Sequence, residues 1–159
     1  YGNKFNMLYA DVNRTTLMGE LTYQDAEELK ISAKAEYFLY DVSEQAFAWQ
    51  KPNFVFTIST FLDLSDKIIV RGDVFVIGPR VARLFSDVEG DLLDYNFETN
   101  YGGLKLPTCL DMNLGLEYRY NDRVSAFINF NNFTASKYQI WNNFPVQSIN
   151  ILGGATFSF

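Results

Sequence analysis

No histidine occurs in the sequence, although it carries 19 acidic and 13 basic side chains. Without an imidazole group, Ser-His-Asp and Cys-His catalysis are both excluded, and the commonest side-chain ligand for transition metals is missing. The single cysteine, Cys109, has no second thiol with which to form an internal disulfide, so we assign it a packing role. An enzyme is therefore the class of function that this composition favours least.

The residues that remain for chemistry are mainly carboxylates. Four of them, Asp87, Glu89, Asp91 and Asp94, lie close together in the segment 79–108. Carboxylate oxygens bind calcium, but the spacing differs from that of the calcium-binding loop with alternating acids. We interpret the four as solvated loop side chains and predict no metal or other cofactor. The net charge of −6 also argues against a nucleic-acid partner, which would favour a basic surface.

Polar and apolar residues alternate over most of the chain, most clearly where Leu110 and Met112 flank Asp111. Such a period of two predicts strands, because successive side chains of a strand point to opposite faces. About eight segments show the pattern. They are 4–12, 16–23, 30–39, 54–63, 68–77, 110–120, 124–131 and 146–159. A helix over 25–36 is rejected because its charges recur at every second residue.

The strands are long, and the connections between them alternate in length. A last strand of about 13 residues would rise roughly 43 Å, and tilted by about 40° it would match an outer-membrane barrel wall. Short turns are predicted at 24–28, 64–67 and 121–123, and long loops at 41–53, 79–108 and 134–145, with 13–15 as a short exception. Short turns on one side and long loops on the other are typical of outer-membrane barrels.

Aromatic residues make up 17% of the chain, and several lie near the ends of the predicted strands. Tyr and Trp favour a membrane interface, because one end of the ring is apolar and the other meets water. We predict membrane-interface aromatics at Tyr23, Tyr118, Tyr120, Phe157 and Phe159 on the short-turn side, and at Tyr138 and Trp141 on the long-loop side.

These patterns predict an all-β fold made of antiparallel transmembrane β-barrel strands, with residues 1–159 as a single outer-membrane barrel region. A soluble β-sandwich is the alternative, since alternation is expected there as well. The predicted lumen-facing residues are Lys34, Glu36, Arg71, Asp73, Asp111, Glu117, Arg119 and Asn129. In a wide barrel they would line a wet wall, and in a closed eight-strand barrel they would form an internal ion-pair network.

Several stretches resemble the C-terminal part of the TonB-dependent receptor barrels of Bacteroidetes-type bacteria. The stretches are AFAWQKPNF (46–54), DKIIVRGDVFVIGPR (66–80), LDMNLGLEYRYNDRVSAFINFNN (110–132), KYQIWNNFPVQ (137–147) and GGATFSF (153–159). The resemblance implies the wall of an outer-membrane receptor for nutrient uptake, but it does not name the substrate. No stretch resembles the plug domain of that family or the box that contacts TonB.

The resemblance also implies partners. They are outer-membrane lipid, barrel strands and a plug encoded before Tyr1, TonB acting through that plug, and other outer-membrane subunits. We expect the strand that closes the barrel to precede Tyr1, although the segment 4–12 is the other candidate. Two alternatives of a different class stay open. One is a free-standing eight-strand barrel with a structural or adhesion role, and the other is an accessory barrel of an outer-membrane complex.

Overall fold

The computed structural model describes residues 9–43, 45–84, 95–96 and 101–159, and every regular element within those ranges is a β-strand. The long strands are β1 (Val12–Asp25), β2 (Leu29–Val42), β3 (Phe54–Leu64), β4 (Ile68–Ile77), β8 (Cys109–Asn121), β9 (Val124–Asn131) and β12 (Asn150–Phe157). The short strands are β5 (Arg80–Leu84), β6 (Tyr95–Asn96), β7 (Tyr101–Leu106), β10 (Gln139–Trp141) and β11 (Phe144–Pro145). In the described part of the chain, no helix is long and apolar enough to cross a membrane.

The long strands form one seven-stranded antiparallel sheet in the order β1-β2-β3-β4-β8-β9-β12. Neighbours in the sheet are therefore consecutive long strands of the chain. A three-stranded sheet, β5-β7-β6, lies in the connection between β4 and β8, and the hairpin β10-β11 lies between β9 and β12. The predicted all-β, antiparallel class is confirmed.

The connections differ in length between the two ends of the sheet. Tight turns at residues 26–28, 65–67 and 122–123 join strands at one end, which we call the turn end. Connections at 43–53, 78–108 and 132–149 lie at the opposite end, which we call the loop end. The turn after β8 is held by Asn121, whose Oδ1 accepts hydrogen bonds from the amides of Arg123 and Val124, both at 2.9 Å. The predicted asymmetry of short turns and long loops is therefore present.

The start of the sheet differs from the prediction. A turn at 13–15 was expected between two strands, but β1 runs through it, with Asn13 opposite Asp41 and Thr15 opposite Leu39. The reason is that β2 continues to Val42 and supplies backbone partners for the whole segment. The predicted strand 4–12 lies largely in residues 1–8, outside the described residues.

Two further segments differ from their predictions. The segment 79–108, predicted as an irregular loop, contains β5 and β7 paired over five residue positions from Arg80 opposite Leu106. The predicted strand 146–159 is regular only from Asn150 to Phe157. Its first residues bond elsewhere, because the amide of Val146 donates to the carbonyl of Tyr138 at 3.0 Å.

The buried core is small, and all of its members except Ile69, which follows the 65–67 turn, lie at the loop end. Among the described residues the buried side chains are Ile69, Ala82, Leu106 and Cys109, together with the polar Arg80 and Asn132. Many large apolar side chains of the sheet are exposed instead, and Leu21 keeps 80% of its surface. A β-sandwich would cover such residues with a second sheet. No described element does so here.

Two glycines of the sheet should respond oppositely to an added methyl group. At Gly154 a Cβ atom would lie 2.7 Å from Cζ of the Phe127 ring, whereas at Gly72 it would meet nothing within 4 Å. We expect Gly154→Ala to lower the free energy of unfolding by about 1–3 kcal/mol, because the ring must move. Gly72→Ala should be neutral or stabilising by up to about 1 kcal/mol. Denaturant titration of the two variants in the same detergent measures both, and equal losses would contradict the assignment.

Candidate functional site: the polar face and its loop end

The strand register assigns every residue of the sheet to one of two faces, because directly paired residues point to the same side. Lys34 pairs with Thr57, Thr57 with Phe75, and Phe75 with Asp111. The same reasoning joins the remaining candidates through the pairs of β3, β4, β8 and β9. All eight predicted lumen-facing residues share one face, which we call the polar face: Lys34, Glu36, Arg71, Asp73, Asp111, Glu117, Arg119 and Asn129.

The opposite face, which we call the apolar face, is almost free of charge. In β3, β4, β8, β9 and β12 every charged residue lies on the polar face. In β1 and β2 the exceptions are Asp25 and Asp41, which stand at the last and the next-to-last position of their strands. The sheet therefore separates a charged side from an apolar side over the whole length of its central strands.

Ion pairs connect the charges on the polar face across three strands. Arg119 of β8 lies between Asp63 of β3, at 4.0 Å, and Glu117, at 3.4 Å. Glu117 also contacts the guanidinium of Arg71 at 3.3 Å, and Arg71 lies over the Phe61 ring with 5.8 Å to its centroid. The Arg71 side chain keeps 53% of its surface. Exposed pairs of this kind contribute about 0–1 kcal/mol each, so they orient the charges more than they stabilise the sheet.

Two further polar contacts lie on the same face. Lys34 and Glu36 of β2 approach to 3.1 Å. The Ser59 hydroxyl donates to Asp73 Oδ1 at 2.7 Å, which links β3 to β4. Together with the ion pairs, these contacts give the polar face a mixed-charge lining that fits contact with water or with a polar partner.

The loop end of the polar face carries a buried arginine that the sequence patterns did not single out. Arg80 of β5 keeps only 2% of its surface. Its Nη2 donates to the Cys109 sulfur at 2.7 Å and to the carbonyl of Gln139 at 2.9 Å, and its Nη1 donates to the carbonyl of Ile140 at 3.4 Å. The guanidinium thus joins the start of β5, the start of β8 and the hairpin β10-β11. Cys109, to which we assigned a packing role, is also a hydrogen-bond partner in this cluster.

Asn132 organises the rest of the 132–149 connection. It is 5% exposed and has a positive φ of 49°, a conformation that asparagine adopts more readily than most residues. Its side-chain nitrogen donates to the carbonyls of Ser136 at 2.9 Å and Gln147 at 3.0 Å. Its side-chain oxygen accepts from the Thr134 hydroxyl at 3.1 Å. One side chain therefore ties both ends of the connection together.

Tyr138 is placed differently from the other predicted interface aromatics. Its hydroxyl donates to Asp111 Oδ2 at 2.6 Å, on the polar face, and its side chain is half-buried. Burial raises the pKa of the Tyr138 phenol well above its ordinary value, and the hydrogen bond to Asp111 and the negative charge of that carboxylate raise it further. This contact links the 132–149 connection to β8. It does not support an anchoring role for Tyr138 in lipid.

The other predicted interface aromatics are exposed. Tyr23, Tyr118, Tyr120 and Phe157 lie near the turn end, and Phe159 follows β12. The Phe157 and Phe159 rings pack edge to face with centroids 5.3 Å apart. Trp141 belongs to the hairpin β10-β11 at the loop end and keeps 46% of its surface. Anchoring at a membrane interface stays a prediction for these six residues.

No group of three or more His, Cys, Asp or Glu side chains in the described residues is arranged to hold a metal ion. The acids Asp87, Glu89, Asp91 and Asp94 lie outside the described residues. A groove of about 800 Å³ opens at the turn end of the polar face, where Lys67, Arg119 and Arg123 contribute to its lining. Its charges are mixed, since Glu117 and Asp122 line it as well.

The Tyr138–Asp111 bond should weaken at high pH. Burial, and after it the bond to Asp111, raise the pKa of folded Tyr138 above the ordinary 10.0 of an unfolded chain. The stability linked to the neutral phenol is therefore fully present below pH 10 and is lost as the pH rises through the folded pKa. Subtracting the alkaline absorbance titration of a Tyr138→Phe variant from that of the wild type isolates this phenol. We expect Asp111→Asn to lower the pKa of Tyr138 but to leave it above 10.0, because burial is the larger cause. A pKa unchanged by Asp111→Asn would contradict the contact.

Neither the known protein-family models nor the curated proteins give a match to this sequence. Solved structures do match. The pyoverdine outer membrane receptor FpvA from Pseudomonas aeruginosa PAO1 superposes with a TM-score of 0.75 at 14% identity, over 93% of this chain and 22% of the receptor chain. An FpvAI–pyocin complex gives a TM-score of 0.77 at 14% identity, over 94% and 20%. A mutant of the ferric enterobactin receptor PfeA from Pseudomonas aeruginosa gives 0.65 at 16% identity, over 91% and 22%.

These neighbours are TonB-dependent outer-membrane receptors, and the chain spans 20–22% of their length. At such low identity the likeness is one of fold. The chain has the antiparallel strand arrangement found in TonB-dependent receptor barrels, in agreement with the predicted barrel strands and with the predicted outer-membrane localisation.

Proposed function

We propose that this chain forms part of the barrel wall of an outer-membrane TonB-dependent receptor that takes up a nutrient. The observation that carries the proposal is the separation of charge between the two faces of the sheet. A barrel wall in a membrane needs an apolar band outside, while its interior is polar. The polar face would then line the lumen, and the apolar face would meet lipid.

The backbone supports the same assignment. In the lipid interior every amide and carbonyl must find a partner within the protein, which strands achieve only by pairing with one another. The described strands β2, β3, β4, β8 and β9 are paired on both sides. The exposed aromatics near the turn end would supply the interfacial band that such barrels carry.

The finer parts of the proposal rest on the sequence stretches that resemble Bacteroidetes-type receptors. They include a plug domain encoded elsewhere in the same protein, coupling to TonB through that plug, and contacts with other outer-membrane subunits. The mixed-charge lining of the polar face, with Arg71, Glu117 and Arg119 partly exposed, suits contact with a plug surface or with water. We propose no catalytic role.

The test of nutrient uptake uses the full-length protein that carries this chain. Cells with and without its gene are compared for accumulation of a panel of ferric siderophores and other nutrients, with and without a protonophore. We expect accumulation of at least one nutrient to require both the gene and the proton gradient. Identical uptake of every nutrient in both strains would contradict the receptor proposal. If attachment or envelope integrity were altered as well, the result would favour a structural or adhesion barrel.

The assignment of the two faces makes a separate prediction at neighbouring residues of β3. Ile58 lies on the apolar face opposite Ala33 and Val74, and Thr57 lies on the polar face opposite Lys34 and Phe75. Both stand near the middle of the strand, so an arginine at position 58 would lie deep in lipid.

We expect Ile58→Arg to lower the free energy of unfolding in lipid vesicles by about 2–4 kcal/mol, the cost of arginine near the bilayer midplane. Thr57→Arg is the matched control, and it should change stability by less than about 1 kcal/mol because its side chain would meet water or polar groups. Denaturant titration of the full-length protein in phospholipid vesicles measures both values. Equal effects at the two positions would mean that the apolar face does not meet lipid.

A further inference from the structure

We propose that Arg80 is a positioning residue that holds the hairpin β10-β11 against the polar face at the loop end of the sheet. The functional consequence of this inference rests on the proposed function. In a receptor barrel the hairpin would stand over the mouth of the lumen and form part of the surface that an incoming molecule contacts. The contacts themselves do not depend on that function.

Arg80 contacts the hairpin through its backbone. Its guanidinium donates to two successive carbonyls, those of Gln139 at 2.9 Å and Ile140 at 3.4 Å. A planar group with several N–H donors can bind two acceptors in a fixed geometry, which a lysine ammonium does not reproduce. The contact therefore fixes the position of the hairpin strand whatever side chains the hairpin carries.

The position of Arg80 also fixes where the hairpin lies. The same Nη2 donates to the sulfur of Cys109, which shares the polar face with Asp111 and Glu117 because all three occupy alternate positions of β8. One residue before the hairpin, Tyr138 bonds Asp111 at 2.6 Å. Two separate contacts thus hold residues 138–140 against the polar side of β8.

The electrostatics of Arg80 fit a positioning role better than a general stabilising role. Within the described part of the chain, Arg80 is 2% exposed and no carboxylate lies within ion-pair distance of it. A buried charge without an ionic partner is costly unless hydrogen bonds satisfy it. The buried Nε of Arg80 has no hydrogen-bond partner among the described residues, and two of the three acceptors of its other nitrogens are hairpin carbonyls. Release of the hairpin would therefore leave only the Cys109 sulfur as an acceptor or expose the guanidinium to water. Closure of the hairpin and burial of Arg80 are therefore coupled.

Exposed basic residues in the chain allow a direct test with trypsin. Lys137 precedes Tyr138 at the base of the hairpin, and Lys67 lies in a turn at the opposite end of the sheet. Cleavage after Lys137 reports opening of the hairpin, and cleavage after Lys67 reports general loosening. The measurement is the ratio of the two cleavage rates in the purified full-length protein in detergent, followed by mass spectrometry.

We expect Arg80→Met to raise this ratio at least about tenfold, since cleavage follows the population of the locally opened state. Arg80→Lys keeps the charge and should give an intermediate ratio, and it replaces the methionine variant if that variant does not fold. Arg71→Met is the matched control, because Arg71 contacts Glu117 and Phe61 far from the hairpin, and its ratio should equal that of the wild type. An unchanged ratio in both Arg80 variants, or equal acceleration at Lys67, would overturn the proposal.

The same digestion on intact cells separates this inference from the proposed function. If the loop end faces outward, trypsin added to cells expressing Arg80→Met should cut after Lys137 and leave Lys67 intact. Cleavage at neither site on cells, with the expected ratio in detergent, would uphold the role of Arg80 but contradict the orientation in the membrane. Cleavage on cells together with an unchanged ratio in detergent would uphold the orientation and reject the role of Arg80.

Discussion

In a β-sheet that separates lipid from water, charged side chains can lie only on the face that meets water. The rest of this structure depends on that constraint. The cost of moving a charged side chain into hydrocarbon far exceeds what an exposed ion pair contributes. In the central strands the constraint is met without exception, since Asp63, Arg71, Asp73, Asp111, Glu117 and Arg119 all share one face. Antiparallel register then carries the separation from strand to strand, because a shift by one residue would reverse the two faces.

Alternation along the chain makes this separation predictable from the sequence. A period of two assigns each residue to a face, and neighbouring strands of a meander keep their faces aligned. The eight predicted lumen-facing residues therefore fall on one side of the sheet. The predicted elements were wrong where the backbone hydrogen-bond partners lie in segments that the local pattern does not identify. The pattern predicts a turn at residues 13–15, yet β2 extends far enough to pair with them. It predicts a strand from residue 146, yet Val146 and Gln147 bond to Tyr138 and Asn132 within the 132–149 connection.

The sequence predicts where the long connections of the loop end lie, but it does not predict which of their side chains are buried. Arg80 and Asn132 lie in connections, where side chains follow no period and where no simple motif indicates burial. Arg80 follows Gly78 and Pro79, which end β4 and turn the chain toward a second small sheet. Tyr138 illustrates the same limit. Its residue type favours a membrane interface, but the carboxylate of Asp111 is near enough to accept its hydroxyl proton in a hydrogen bond. Arg80 and Tyr138 both bond to residues far away in the sequence, which local patterns do not reveal.

The edges of the sheet follow from the same constraint as its faces. Within the described residues β1 and β12 each pair on one side only, so one row of backbone groups on each strand has no partner in the sheet. In water such an edge is tolerated, whereas in lipid each unpaired amide or carbonyl costs several kilocalories per mole. If the apolar face meets lipid, both edges must find strand partners, because only a closed barrel leaves no edge. The receptors of similar fold contain much more chain, since this sequence spans 20–22% of their length. The receptor proposal meets that requirement, because the barrel of such a receptor would supply the strands that pair with β1 and β12.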